Sequence, residues 1–569
     1  MTAAVVDRAA EPAHVDQVDS SVPARAPRWP WFLGLAATLQ YLLVGVWLVG
    51  TKEWLIPDGV ERTTNAMAIV LSRDPHLGAM GLYWMPLPML IRIPILVLLR
   101  PFQAGIYAGP IASAVAAGLV IPVLAKIGAA LRVSTSVTVV VTLLYAFNPV
   151  TIWHAGNGMS ESWFALCIAL VLLSYVQLVR DGAWHPERMP LFGIALGLGM
   201  ASRFEFIPIC VAGALAIVVQ APRSERRASV INALVPPAFV FFFWSLASML
   251  FSGDAFYWYE QNKQLGATPD FHPWMPDQLT PLTITGYVLA FSMIFAPALG
   301  GAIGVACFQR RTYRRWLGLL VLLAAYPGVN WFQLMGRTGV GAMRYFGITP
   351  LLGAVATMWV IGFGRHWSTS ARSWMTAGLL AATATGWGVV TYHMSFERQT
   401  WIEREAAFFA PLIGKQPVTV DENLRGLADM AGILDPHLTA GRLVAMEAKG
   451  GWLTLYTSHP ERFLIPYDRD WEEIMSDPDG RFDFVFKQTV LPPSSQATAD
   501  AAQLDGAMSA FTEGEFVMVA KNEAGELWEF VPIGGTPTVT GARIETSEPE
   551  STSEPTTTVE AATTSTVGG

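Results

Sequence analysis

The chain has 569 residues, of which 52% are hydrophobic and only 14% charged, against the roughly 25% charged residues of ordinary soluble domains. So few charges cannot cover the surface of a water-soluble protein of this size, and the mean hydropathy of +0.38 agrees with a polytopic membrane protein. The net charge of -8 and the lack of a long basic run exclude nucleic acid as the main partner.

Residues 1–28 are polar and are expected to form a disordered cytoplasmic N-terminus. The apolar run that follows is too long, and lacks the small-residue cleavage site, for a removable signal, so it is expected to stay as a first span. Spans of roughly 20 apolar residues are read near residues 30–50, 104–125, 133–152, 161–179, 189–203, 204–220, 231–252, 283–307, 316–334, 345–363 and 374–393, eleven in all. The stretch Trp84 to Leu99 is also apolar, but it is short, holds Arg92 and is interrupted by Pro86, Pro88 and Pro94.

Basic residues decide whether that stretch crosses. If it does not, Lys126/Arg132, Arg180/Arg188, Arg223/Arg226/Arg227, Arg310/Arg311/Arg314/Arg315 and Arg365/Arg372 all face the cytoplasm, as the positive-inside rule requires. It is therefore expected to lie along the outer face, with juxtamembrane helices over 60–100. The first outer loop still carries Lys52, Arg62, Arg73, Arg92 and Arg100, a local excess of cations that asks for a reason.

Eleven crossings place the chain beyond 393 outside the cytoplasm. Residues 394–535 have a soluble composition, with amphipathic stretches Glu403 to Leu412 and Glu422 to Leu434 among strand-like runs Arg442 to Met446, Arg462 to Tyr467, Phe482 to Lys487 and Glu515 to Ala520. Residues 536–569 are Thr, Ser, Glu and Pro with almost no large apolar side chains, and are expected to be a disordered tail. The expected architecture is thus a mainly α, polytopic transmembrane domain over 29–393 with a C-terminal extracytoplasmic α/β domain. The integral protein is assigned to a cytoplasmic (inner) membrane.

The cysteines, Cys167, Cys210 and Cys307, lie in apolar segments without metal-knuckle or redox spacing, so no metal site is expected and a divalent cation is not indicated. Polar residues at a membrane edge are costly unless used, and they gather on the outer side. Asp58, in Pro-Asp-Gly after the first span, fits a general base whose pKa is raised by partial desolvation, with Glu61 three residues on; Pro-Asp-Gly is equally an ordinary turn. His154, Asn157 and Glu161 suit sugar hydroxyls or acceptor orientation, but also loop and cap chemistry. Arg203 suits a phosphate, or simply pairs with Glu205. Gly336 to Tyr345 offers Arg337, Arg344 and Tyr345 without the spacing of a nucleotide loop. The aromatic loop from Phe256 offers Tyr259, Glu260 and Gln261, though interfacial belts explain Trp and Tyr as well.

In order, Asp58 after the first span, Trp-Met-Pro-Leu-Pro from Trp84, the polar step between spans three and four, Arg203 after span five, Tyr-Trp-Tyr-Glu-Gln at 257–261 and Arg-Tyr at 344–345 resemble the GT-C superfamily of membrane glycosyltransferases. The resemblance covers residues 30 to about 363 and is nearest to the aminoarabinose transferase and protein O-mannosyltransferase branch. It implies an inverting transferase that moves a sugar from a polyprenyl-phosphate donor on the outer leaflet to an envelope glycan, lipid or protein. It places Asp58 at the family's catalytic acid, within an Asp-Glu pair that Gly59 breaks here; Glu61 is the substitute candidate. Arg203, Arg337, Arg344 and Tyr345 would hold the phosphate, and Trp84, His154, Asn157, Glu161, Tyr259, Glu260 and Gln261 the substrates. No cofactor beyond the lipid-linked donor is implied.

Arg outnumbers Lys thirty to seven, in keeping with a GC-rich bacterial genome. The alternative reading is a transporter or flippase, which commonly shows internal repeats and charges near the bilayer midplane; here no repeat is visible and the charges collect at the outer edge.

Overall fold

The computed structural model describes residues 27–53, 55–180, 183–267, 280–308, 313–336, 346–364, 367–396, 424–446, 451–488 and 495–539. The N-terminal 26 residues, the Glu403 to Leu412 stretch and the chain beyond 539 lie outside them.

Each of the eleven apolar stretches carries a helix or a bent pair of helices. They are α1 (Trp29–Gly50), α5 (Ala108–Ala130), α6 with α7 (Thr135–Ala146, Pro149–Gly156), α8 (Glu161–Leu178), α9 (Met189–Ser202), α10 (Phe206–Gln220), α11 (Arg226–Ser252), α13 with α14 (Pro281–Phe295, Ala298–Phe308), α15 (Tyr313–Met335), α16 (Thr349–Phe363) and α17 (Thr369–Phe396). Five of these, among the described residues, are alone long and apolar enough to cross a membrane, and seven if each bent pair makes one span. Their core is α5 and α8, whose buried Ala, Leu, Val and Ile faces pack against each other and against α1, α9 and α16.

Two expected straight spans are broken. The 133–152 stretch bends by 59° between α6 and α7, because Pro149 cannot donate to the helix and pushes Asn148 to an extended backbone. The Asn148 side chain then caps the new helix by accepting from Val150 N at 3.0 Å. The Phe147 carbonyl accepts from Trp387 Nε1 at 2.7 Å, so it is not left orphaned. The 283–307 stretch turns by 103° at Ala296-Pro297, where Ala296 leaves the helical region and α16 packs Gly353 against it, leaving 2.9 Å for any added Cβ.

Between α1 and α5 the chain runs through α2 (Pro57–Leu71), α3 (Leu87–Leu90) and α4 (Arg92–Leu99). The apolar stretch Trp84 to Leu99 thus holds two short helices, and α2 begins at Pro57, three residues before the juxtamembrane helices expected over 60–100. Proline at the first helical position and aspartate in the first turn are both start signals, one by its fixed φ and the other by its charge at the positive end of the helix dipole. Pro-Asp-Gly is a helix start here and not a turn.

The C-terminal module is a five-stranded mixed sheet in the order β2-β1-β3-β5-β4. Strands β1 (Val444–Met446), β2 (Phe463–Leu464) and β3 (Phe484–Gln488) are parallel; β4 (Gly514–Lys521) and β5 (Gly525–Pro532) complete it antiparallel. Helices α18 (Leu427–Thr439), α19 (Trp471–Ser476) and α20 (Ser495–Ala510) accompany it. Four strands lie within the expected runs or a residue or two of them. Strand β5 was not expected: its inner face of Leu527, Glu529 and Val531 includes a charge while its other face carries Trp528 and Phe530, so no apolar–polar alternation shows; Glu529 is a buried carboxylate held by Arg442 Nη1 at 2.8 Å and Thr538 N at 2.9 Å.

Candidate active site

Helix α2 is the element around which the charges collect. Its first turn bears Asp58 and Glu61, both half-buried, and the buried Arg62. Arg62 Nη1 donates to the Asp58 carbonyl at 3.1 Å, and its guanidinium lies 3.7 Å from the centre of the Trp84 ring. The Tyr83 hydroxyl donates to Glu61 Oε1. Burial pulls the Arg62 pKa below its ordinary value; Asp58, Glu161 and Glu61 oppose that shift and Arg203 adds to it, so all four share one electrostatic neighbourhood.

Arg203 caps the end of α9, where the chain leaves helical geometry. Its Nη2 and Nε donate to Glu205 at 2.6 and 3.2 Å, and Nη1 donates to Glu161 Oε1 at 2.8 Å and Ser160 Oγ at 3.2 Å. The guanidinium expected to meet a phosphate is thus already engaged by two carboxylates. Next to it Phe204 stacks on Trp258 at 4.2 Å and 15°, which ties the aromatic loop to the same rim.

Helix α2 approaches the α7–α8 turn closely. A Cβ on Gly59 would lie 2.9 Å from the Asn157 carbonyl oxygen and 3.3 Å from Gly158. This gives a physical reason for the broken Asp-Glu pair: a side chain at 59 has no room. Asn157 is fully buried, and its Oδ1 accepts from Met159 N at 3.1 Å. From the other side the buried Arg92 donates to the Gly59 carbonyl at 2.7 Å, to Thr63 Oγ1 at 2.9 Å and to the Gly158 carbonyl. It ties α4, α2 and the α7–α8 turn together.

Asp58, Glu61, Trp84, Glu161 and Arg203 therefore converge, with Asn157 against the same turn of α2. His154 is buried one helical turn away, its carbonyl accepting from Ser162 Oγ at 3.2 Å. Tyr259 and Glu260 are exposed on α12 (Tyr257–Ala267), where Glu260 pairs with Lys263 at 3.7 Å, and Gln261 is half-buried there. No described contact brings these three to the cluster. Arg337, Arg344 and Tyr345 lie outside the described residues. Arg62, Tyr83 and Arg92 were missed as site residues, although the outer-loop excess of cations was the signal for two of them.

Two other cations of that loop, Arg73 and Arg100, meet the C-terminal module, while Lys52 lies over the Trp47 ring. Arg73 donates to Asp468 Oδ2 at 3.1 Å and Asp470 Oδ2 at 3.0 Å, Asp74 accepts from Arg469 N at 2.9 Å and Nε at 3.0 Å, and Arg100 pairs with Glu461 at 3.3 Å. The Arg469 guanidinium holds Asp74 well below the usual carboxylate range, and Arg73 lowers Asp470. Burial pushes Asp468 up to about 6 against the pull of Arg73. Between α2 and the module lies a cleft of about 340 Å³, partly open to solvent, lined on one side by Thr64, Asn65 and Ala68 and on the other by Thr454, Phe463 and Tyr467. The cleft lies beyond the charged first turn and not over it.

The chain superposes on ArnT from Cupriavidus metallidurans in the apo state with a TM-score of 0.51 at 13% identity, over 90% of this chain and 99% of that one. This is the GT-C fold. The same protein bound to undecaprenyl phosphate matches with a TM-score of 0.42 at 13% identity, over 91% of this chain and 100% of that one. The archaeal oligosaccharyltransferase AglB from Archaeoglobus fulgidus, in complex with an inhibitory peptide and a dolichol-phosphate, matches with a TM-score of 0.43 at 11% identity, over 89% of this chain and 75% of that one. No protein-family model matches the sequence, and no curated protein does. Here the loop after α1 builds its own helices, α2 to α4, and those helices bear the charged cluster.

Proposed function

We propose that this protein is an inverting glycosyltransferase that moves a sugar from a polyprenyl-phosphate carrier to an envelope glycan, lipid or protein on the outer face of a cytoplasmic membrane. In a single displacement the base takes the proton of the acceptor hydroxyl, the acceptor oxygen bonds to the anomeric carbon, and the carbon–oxygen bond to the lipid phosphate breaks with the electron pair leaving on phosphate. Asp58 is the base, and Glu61, held by Tyr83, is its neighbour or understudy. Arg203, Arg337, Arg344 and Tyr345 are assigned to the departing phosphate, where negative charge develops. Arg62 joins them: among the described residues it forms no ion pair, and its guanidinium is fixed by a backbone carbonyl and a tryptophan face. Trp84, His154, Asn157, Glu161, Tyr259, Glu260 and Gln261 are assigned to sugar and acceptor contacts.

The observation that carries this reading is the meeting of Asp58, Glu61 and Arg62 with the Arg203 cluster on the loop that follows α1 in a GT-C fold. A lipid-linked donor also accounts for a chain without a nucleotide loop, because the apolar tail stays in the bilayer and only phosphate and sugar need polar partners. The test is to incubate the purified protein with radiolabelled polyprenyl-phosphate sugars and membrane extract. Sugar should leave one such donor, and Asp58→Ala should abolish transfer in a protein that still melts cooperatively. Release from no donor, or full transfer by Asp58→Ala, sinks the reading; lipid or solute movement that survives the substitution would favour transport.

A further inference from the structure

Helix α2 carries the candidate base at one end and the module's anchor at the other. It spans 15 residues, or about 22 Å at 1.5 Å per residue. Past Gly59 it has neither glycine nor proline, so it moves as a rod. Its first turn is fixed by Arg92 and by the glycine contact with the Asn157–Gly158 turn. Along its middle Met67 and Ala68 share a buried apolar core with Trp452, Leu455 and Phe463 of the module, beside the small cleft at Thr64 and Asn65. That apolar contact couples the rod to the module along its length.

What fixes the far end is ionic. Ser72 caps α2, and the next two residues, Arg73 and Asp74, meet the tripeptide Asp468-Arg469-Asp470 with complementary charges in register. Asp468 is buried and also accepts from Ile465 N at 3.2 Å, so that side of the clasp is rigid with the sheet. Arg73 and Asp74 are thus bound to a rigid partner by paired, directional hydrogen bonds.

We infer that the C-terminal module positions the catalytic turn through this clasp: Arg73, Asp74, Asp468, Arg469 and Asp470 are positioning residues that set where α2 presents Asp58 and Arg62. The inference rests on the reading of Asp58 as the base. It gives the module a part in turnover, and it makes α2 the lever between them.

The test uses the full chain in lipid nanodiscs with Asp74→Arg, Arg469→Asp and the double swap, Arg469 being 70% exposed and Asp74 14%. Two readouts are taken: amide hydrogen exchange over residues 57–64, and kcat and KM for the polyprenyl-phosphate sugar. Each single substitution should speed exchange at 57–64, far from the altered residue, and lower kcat by about 10- to 100-fold, the cost of a misplacement on the order of an ångström. The lipid-donor KM should rise along with the fall in kcat, since Arg62 is displaced together with Asp58, and the double swap should restore both readouts. Faster exchange confined to residues 65–74, or a swap that restores neither readout, overturns the lever. Should Asp74→Arg unfold the module, Arg469→Gln replaces it with the same expectations. If the wild type transfers no sugar, the exchange readout alone decides the lever, and the proposed function fails separately.

Discussion

The guanidinium of Arg62 lies over the Trp84 ring at 3.7 Å while reaching back to the carbonyl of Asp58, so an aromatic face and a helix start together hold one buried cation beside the candidate base. A cation on a tryptophan face gains about 0.5–2 kcal/mol, more as it is desolvated. Trp84→Leu should therefore leave the fold intact and raise the KM for the lipid donor roughly 2- to 30-fold, the same energy expressed as affinity. Steady-state kinetics with a radiolabelled donor measure this; an unchanged KM would remove Arg62 from phosphate binding.

Restoring the Asp-Glu pair should harm the protein. Gly59→Glu places a Cβ 2.9 Å from the Asn157 carbonyl in a close helix contact, and overpacking of that kind costs about 1–3 kcal/mol. A lowered melting temperature, with Gly59→Ala intermediate, is expected. Equal stability of all three would show that α2 can shift away from the α7–α8 turn.

Removing Arg203 should destabilise more than any loss of binding would suggest. Glu161 and Glu205 would face each other without their shared cation, and uncovering a buried charge costs about 3–5 kcal/mol. Arg203→Ala should unfold at lower temperature, and Glu161→Gln with Glu205→Gln in the same chain should recover much of the loss. If Arg203→Ala melts like the wild type, the triad is solvated and contributes little.

The clasp should respond to pH through Asp468. Its folded pKa is raised, to about 6, so between the unfolded carboxylate range near 4 and that value the folded protein holds a proton the unfolded chain releases. This group's contribution therefore falls as pH rises across that window and is flat above it. Asp74 and Asp470, held low by Arg469 and Arg73, act in the opposite sense and lose their contribution as pH falls below the carboxylate range; His76 lies 3.8 Å from Asp74. Wild type compared with Asp468→Asn isolates the first effect: its relative stability should drop by at most about 3 kcal/mol from pH 4 to pH 7. Parallel melting curves across that range would show that Asp468 ionises at its ordinary value.

Much of the transmembrane part was legible because a helix in a bilayer must bury its backbone hydrogen bonds within itself, and only long apolar runs do this. The bends at Asn148-Pro149 and Ala296-Pro297 were not drawn, though each proline announces one, because a window of about 20 residues averages over a single missing donor. Asp58 stood out in the sequence by its place after α1, and it sits in the first turn of α2. Arg62 and Arg92 were visible as cations on the wrong side of the charge rule, but what each one holds is set by the Trp84 face and by the Gly59 and Gly158 carbonyls, contacts between segments that no local pattern encodes. Arg203 was read as a phosphate ligand with Glu205 as a partner; its second carboxylate, Glu161, is 42 positions away and so escaped notice.

The indole of Trp387 satisfies a carbonyl that the kink at Phe147 sets free, yet it is synthesised 240 residues later. At about 5–20 residues per second that interval is roughly 12 to 48 s, during which the nascent N-terminal half holds an unmet acceptor at the bend. Biogenesis of this half therefore waits on the last of the long apolar helices to leave the ribosome, and a chain truncated before residue 387 would be a natural client for membrane quality control.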